Sequence, residues 1–366
     1  MILRAATILG LCSTAAMASQ QGLAPAIQPN GLGRVLVTWS PTEAQCGGAP
    51  IALGPLVRRP LNNLFWPTQF KFKPVTFRFT IDASGRPLSI ERIERIDSDF
   101  VSFGDDLAPA LAASQFAGGA KASCQITYTP KTMSLAEAPV GDLISYTISP
   151  IGGALPNEGW ARIKPAGDCA KAPTVAPLLS AFPNYAQIAG TPGIHEWTLI
   201  GYDIDRQGKP TNVHIIGSNG NAALAKASAK AMQRWKFADG PRTGCIYAYR
   251  RPPLTLAAPP APEEAAFRSA DATCEEPHQW TQPLSLQFPE NYRRRMIEGW
   301  AIVRYDVAPW GAVGNLKVLA SQPSEDFGKQ AIFMLQGATL PKSSRGLTGC
   351  VDRVRYVFEH NAPPVE

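Results

Sequence analysis

The chain has 366 residues, 45% of them hydrophobic and 17% charged, which excludes an intrinsically disordered polymer and points to globular cores. Thirty-five Lys and Arg against 29 Asp and Glu leave a net charge of +6, small for this length and interspersed with acids, so no nucleic-acid footprint is present. The length exceeds what one core can organise and suits two or three domains of ~100 residues.

The N-terminus, MILRAATILGLCSTAAMASQ, has one arginine, a short apolar run and then Ala16-Met17-Ala18, the pattern of a cleavable secretory signal over residues 1–18. A lipoprotein signal using Cys12 is the rival reading, but Leu11 stands where such signals need a small residue. The run is too short and alanine-rich to be retained as a span of roughly 30 Å. The expectation is a periplasmic protein with no membrane span after cleavage, in a compartment where disulfides persist.

A strand is expected at residues 34–39, ahead of Cys46, with Trp39 in core or sheet-edge packing. Three copies of one pattern follow, centred on Gly85, Gly208 and Gly311, which lie 208 − 85 = 123 and 311 − 208 = 103 residues apart. Before each glycine runs an alternating strand: Phe77, Phe79 and Ile81; Ile200, Tyr202 and Ile204; Val303, Tyr305 and Val307. After it comes a second strand carrying Ile90 and Ile93, Val213 and Ile216, or Leu316 and Leu319. The glycine supplies the positive φ of a tight turn, so each pair reads as a hairpin.

Helices are expected next. Leu107 and Leu111 share a face in the first copy, with Pro109 tolerable only in the first turn. Leu224, Ser228, Ala231 and Trp235 share one in the second, and Phe327, Ala331 and Met334 in the third. Between the first two copies a connector offers a possible strand at Leu143 to Ile148, then Trp160, again in core or sheet-edge packing. Between the second and third, PPLTLAAPPAPEEAAF is the clearest linker. Arg293-Arg294-Arg295, the largest basic cluster, reads as a solvated helix face or loop rather than an anion site.

Six of the seven cysteines fall as pairs around the three glycines: Cys46 and Cys124, Cys169 and Cys245, Cys274 and Cys350. Six cysteines allow 15 connectivities. A repeat that carries its own pair selects the one in which every bridge is local to a copy. Each bridge closes a loop of roughly 75 residues, for which chain entropy gives about 4 kcal/mol.

Catalytic motifs fail on inspection. Ile216-Gly217-Ser218-Asn219-Gly220 lacks the leading glycine of a nucleophile elbow, and Gly208-Lys209 is followed by proline where a P-loop needs Ser or Thr. His195, His214, His278 and His360 have no zinc-ligand spacing. Asp82, Asp203, Asp205 and Asp306 sit at the hairpins and read as turn formers. No enzyme activity, metal or cofactor is expected.

The middle copy carries FPNYA at 182–186, YDID before its turn glycine, NVHIIGSNG, an alanine-rich helix and Arg234-Trp235-Lys236-Phe237. It resembles the C-terminal domain of TonB, the bacterial energy transducer. The third copy, with FPENY at 288–292 and EGWAIVRYDVAPWG, is similar; the first keeps the strand pair, the turn and a shortened helix. The resemblance implies tandem α+β modules of hairpin, helix and antiparallel strand. The layout expected is a signal over 1–18, a divergent first module over 19–135, a connector over 136–159, a second module over 160–252, a proline-rich linker over 253–267 and a third module over 268–366.

The resemblance also implies that a partner peptide pairs with an exposed final strand. The corresponding strands are Cys124 to Thr129, Cys245 to Arg250 and Val351 to Phe358. The candidate partner-binding residues are Ile246, Tyr247, Ala248 and Tyr249 in the second module, and Val354, Tyr356 and Phe358 in the third. TonB's membrane helix and long Pro-rich spacer are replaced by a cleavable signal and repeated modules. The expectation is therefore a binding or scaffold protein for a segment of an envelope protein or outer-membrane receptor. The alternatives are a structural or regulatory envelope protein without a strand-addition partner, or a secreted hydrolase.

Overall fold

The turn glycine anchors each module in more ways than the hairpin requires. Gly85, Gly208 and Gly311 all have positive φ (87°, 74° and 95°). Each also accepts the chain as it leaves the following helix: Phe116, Phe237 and Leu340 donate their N–H groups to the three glycine carbonyls at 2.8, 2.8 and 2.9 Å. A Cβ at any of the three would meet the facing carbonyl oxygen inside 3.0 Å. Two constraints, one conformational and one steric, therefore fix glycine there.

The computed structural model describes residues 33–54, 56–66, 72–93, 106–274, 279–282 and 284–358. The expected secretory signal over 1–18 and Cys12 lie outside the described residues. So do His278 and His360. In chain order the elements are β1 (Val35–Cys46), β2 (Ala49–Pro50), β3 (Asn63–Phe65), β4 (Val75–Ile81), β5 (Pro87–Arg92), α1 (Leu107–Ala112), β6 (Lys121–Ser134), α2 (Val140–Ile148) and α3 (Asn157–Ile163). Then follow β7 (Pro177–Leu179), β8 (Glu196–Ile204), β9 (Pro210–Ser218), α4 (Ala222–Met232), β10 (Lys236–Phe237), β11 (Arg242–Arg251), α5 (Glu290–Arg294), β12 (Gly299–Val307), β13 (Val313–Gln322), α6 (Glu325–Leu335) and β14 (Leu347–Tyr356). The fold is α+β, with tandem modules of hairpin, helix and antiparallel strand.

One topology occurs three times. The first hairpin strand is central, flanked by its hairpin mate and by the strand after the helix: β6-β4-β5, β11-β8-β9 and β14-β12-β13. Its alternating residues are buried beneath the helix in every copy. Helix α4 buries Leu224, Ser228 and Ala231 and is capped by Asn221, whose side chain accepts from Leu224 N; α6 is capped by Ser324. In α1, Pro109 sits in the first turn, where its missing N–H leaves no bond unmade. Disulfides join Cys46 to Cys124, Cys169 to Cys245 and Cys274 to Cys350, each local to one copy.

Four features depart from the sequence reading. Leu143 to Ile148 is the body of α2, not a strand: Val140, Leu143, Ile144 and Thr147 have helical spacing, and Pro139 leads the chain into the first turn. Helices α2 and α3 cover the back of the second sheet, packing Leu143, Ile144, Tyr146 and Ile163 against Trp197 and Leu199. The proline-rich stretch is not a free tether. Ala258, Ala261 and Phe267 lie on Trp300, Ile302 and Val351, and Trp300 Nε1 donates to Pro259 O at 2.9 Å. Proline suits such a lid because a chain lying on a sheet face rather than in its ladder needs no N–H.

The third departure concerns Arg295, which is buried rather than solvated. Its guanidinium forks onto both oxygens of Asp106 (2.6 and 2.5 Å) and donates to Gly193 O and Arg59 O, so it touches all three modules. Only Arg293 of that triplet is plainly solvent-facing, paired with Glu290. The fourth is β6, the final strand of the first module. It is interior: β1 runs antiparallel along its outer edge from Val35↔Ser134 to Cys46↔Cys124.

The modules also share interior. Tyr292, Ile297, Phe327 and Tyr356 of the third belong to the same buried cluster as Phe77, Phe79, Leu107 and Tyr128 of the first. Strand β5 is closed by the corner after β13: Ile90 N donates to Pro323 O (2.9 Å), and Ser89 N to Gln322 Oε1 (2.8 Å). Trp39 is core. Trp160 packs on the second sheet's back cluster.

Candidate protein-interaction edges

The final strands of the second and third modules differ from β6 in having one ladder neighbour each among the described residues. Which of their amides are free follows from alternation along the central strand. Trp197 donates its N–H to Asn219 Oδ1 (3.0 Å) and accepts from Asn219 N (3.3 Å), so its backbone faces β9. Odd-numbered residues of β8 thus face β9 and even-numbered ones face β11. Tyr247, opposite Ile200, and Tyr249, opposite Thr198, turn their N–H and C=O inward to β8. Ile246, Ala248 and Arg250 turn theirs outward. By register, the equivalent outward positions on β14 are Val351, Arg353 and Arg355.

Each free edge borders a groove. Beside β11 a groove of about 510 Å³ is walled by Trp160 and Ile148 on one side and Phe182, Tyr185 and Tyr247 on the other. Its aromatic wall is a packed array: Trp235 to Tyr247 at 4.7 Å, Tyr247 to Tyr249 at 4.9 Å, Phe182 to Tyr249 at 6.2 Å. Burial pushes the Tyr202 hydroxyl behind it up to about 12 and that of Tyr249 higher still. Tyr249 and Trp235 both donate to Ala181 O, at 3.1 and 2.8 Å, holding the FPNYA loop against the sheet. Buried Arg251, ion-paired with Glu196, clamps the same loop through Tyr185 O, Ile188 O and Ala189 O.

The groove beside β14, about 420 Å³, is lined by Trp280, Leu284, Leu286 and Met334 together with Asp352, Arg353 and Arg355. It is more charged and partly latched, because Arg353 reaches Glu264 (3.4 Å) and Pro262 O (3.0 Å). Val354 and Tyr356 point into the core, Tyr356 donating to Phe327 O at 3.3 Å. Phe358 lies past the strand's end, stacked on Phe288 at 4.5 Å, and its N–H goes to Glu298 Oε1.

The hairpin aspartates divide into two kinds. Asp82 and Asp205 are turn formers, each accepting two backbone N–H groups of its own turn. Asp203 and Asp306 instead accept the N–H of Gly244 and Gly349, both at 2.8 Å, and the side-chain amides of Asn212 and Asn315. They therefore pin the start of the strand that carries the free edge. The signal in sequence is an Asp and an Asn nine residues apart in both copies, 203 with 212 and 306 with 315. The two described histidines do not converge: His195 Nε2 bonds Arg294 O and His214 Nδ1 bonds Asn212 O. Among the described residues no cluster of three His, Cys, Asp or Glu is placed to hold a metal, and no helix is long and apolar enough to cross a membrane.

Residues 181–251 and 285–356 each match the family model of the Gram-negative bacterial TonB protein C-terminal. The chain carries two TonB C-terminal-like domains in tandem. The matched spans run from the FPNYA and FPENY loops to the ends of β11 and β14, so each TonB-like domain holds its edge strand and one side of its groove, while Ile148, Trp160, Trp280 and Leu284 come from outside them. The family associates the chain with the envelope and with protein interaction. No curated protein matches the chain. The first module lies outside both matched spans, and its kinship to the TonB-like domains rests on the shared strand order and on the turn-glycine geometry.

Proposed function

We propose that the chain is a periplasmic binding or scaffold protein in which β11 and β14 of the two TonB-like domains take up an extended segment of an envelope protein by strand addition. The observation that carries this reading is β1. In the first module it fills, from within the same chain, the place along β6 that corresponds to the open sides of β11 and β14. A sheet of this design thus accepts an antiparallel strand at that edge, and in the other two modules no strand fills that place among the described residues. Backbone amides of Ile246, Ala248 and Arg250 would supply the ladder, and the grooves would take alternate side chains.

The test uses proline at an outward-facing position, where it removes a donor to the partner while leaving the bonds to β8 or β12. A photo-crosslinker at exposed Arg250 should give a discrete adduct with an envelope protein, and Ala248→Pro should abolish it without unfolding the domain; Arg355→Pro makes the same test at β14. Adducts unchanged in both folded variants would sink strand addition. The shared core of the first and third modules favours a purely structural role as the second reading, and that result would select it.

A further inference from the structure

A third cleft belongs to neither edge. It opens where the three modules meet, with a volume of about 800 Å³, between the loop bearing Arg58 and Arg59, the end of α2, and the start of β8 with Trp197, over a floor made by Arg295. Its charges can be taken one at a time. Arg295 is saturated by Asp106 and two carbonyls. Arg59 stands 3.8 Å from Asp142. Glu196, the carboxylate whose charge acts on Arg58, is held by Arg251. Arg58 is left over. Its backbone N–H takes Ser114 Oγ, but its guanidinium has no partner among the described residues, and its Nε is buried with none.

A half-buried guanidinium beside a second guanidinium is an arrangement proteins normally neutralise. Burial first, and then the Arg295 charge, lower the Arg58 pKa, which is the same imbalance expressed as protonation. The volume is that of a small-molecule site, and its lining combines apolar Ile148, Ile194 and Trp197 with polar Asn62 and Asn219.

We propose that this three-module cleft binds a small organic monoanion, a carboxylate or a phosphodiester with an apolar portion, and that Arg58 is its ion-pair partner. The single uncompensated positive charge sets the ligand charge at minus one. The fork of the guanidinium suits two oxygens of a carboxylate or phosphate, and Trp197 offers a face for the apolar part. Because the walls come from all three modules, the bound anion would tie them together.

The experiment is calorimetric titration of the full-length protein with benzoate and with dimethyl phosphate, and with benzyl alcohol as the uncharged control. Saturable binding of at least one anion is expected, weakened at least tenfold in Arg58→Gln and by less in Arg58→Lys, which keeps the charge and loses the fork. Which anion saturates identifies the headgroup. Failure of both anions to saturate overturns the proposal, as do equal affinity in Arg58→Gln or benzyl alcohol binding as tightly as benzoate. Should Arg58→Gln fail to fold, undiminished affinity in Arg58→Lys excludes the forked contact. None of these outcomes depends on strand addition at β11 or β14.

Discussion

Asp306 shows how one carboxylate sets the start of an edge strand. It accepts from Gly349 N and from Asn315 Nδ2, and those bonds, in that order, hold its carboxyl below the usual carboxylate range. A depressed folded pKa contributes stability that is present above the unfolded value and lost as pH falls through the folded one. Asp306→Ala should therefore cost about 1 kcal/mol near neutral pH, a hydrogen-bond loss discounted for the open site. The gap from wild type should narrow as pH falls below the ordinary carboxylate range toward the depressed folded pKa. Urea midpoints across that range check it, and a gap that stays constant refutes the assignment. The aspartates were legible in the sequence as hairpin residues. Their bonds to residues some 40 positions on were not, because a turn former and a strand clamp have the same local composition.

Among the elements, the repeat was the most legible feature. Alternation in β4, β8 and β12, the turn glycines and the paired cysteines all report short-range geometry that sequence periodicity encodes directly. Gly208 adds a constraint that no local pattern shows, the approach of Phe237 O. Gly208→Ala should therefore cost more than left-handed backbone strain alone: about 1–2 kcal/mol for the φ, plus about 1–3 kcal/mol for the displaced carbonyl. Gly314→Ala, with open space around it, should stay within about 0.5 kcal/mol. Equal effects in thermal melts would show that the carbonyl contact carries nothing.

Strand β1 was visible only as six residues ahead of Cys46, and its partner was not visible at all. Strand pairing is a long-range choice: the apolar alternation of β6 fits equally well whether its outer edge is open or filled. The disulfide joins β1 to that edge at one end. Replacing Cys46 and Cys124 together by Ala should lower stability by about 2–5 kcal/mol. It should also raise amide exchange in β1 and β6 before β11, and uniform exchange across all three modules would contradict β1's place as an added strand.

At the scale of the molecule, the sequence suggested beads on a linker, and the structure is a joined body. The reason lies in what composition can express. The proline-rich run has a tether's residues, yet it covers Trp300 and Ile302; Arg295 sits in a basic triplet, yet it is the most buried of the three. Neither burial has a period. Breaking the Arg295–Asp106 pair from one side strands a charge in the interior, so Arg295→Ala should cost about 3–5 kcal/mol. Arg293→Ala, two residues away and exposed, should cost under about 0.5 kcal/mol. Since Arg295 also binds Gly193 O of the second module and Arg59 O of the first, its loss should do more than lower the midpoint. The single calorimetric transition expected of modules sharing one core should split, with the second module melting apart from the first and third. A single sharp transition in Arg295→Ala, with a midpoint matching Arg293→Ala, would mean that the contact between modules is carried elsewhere.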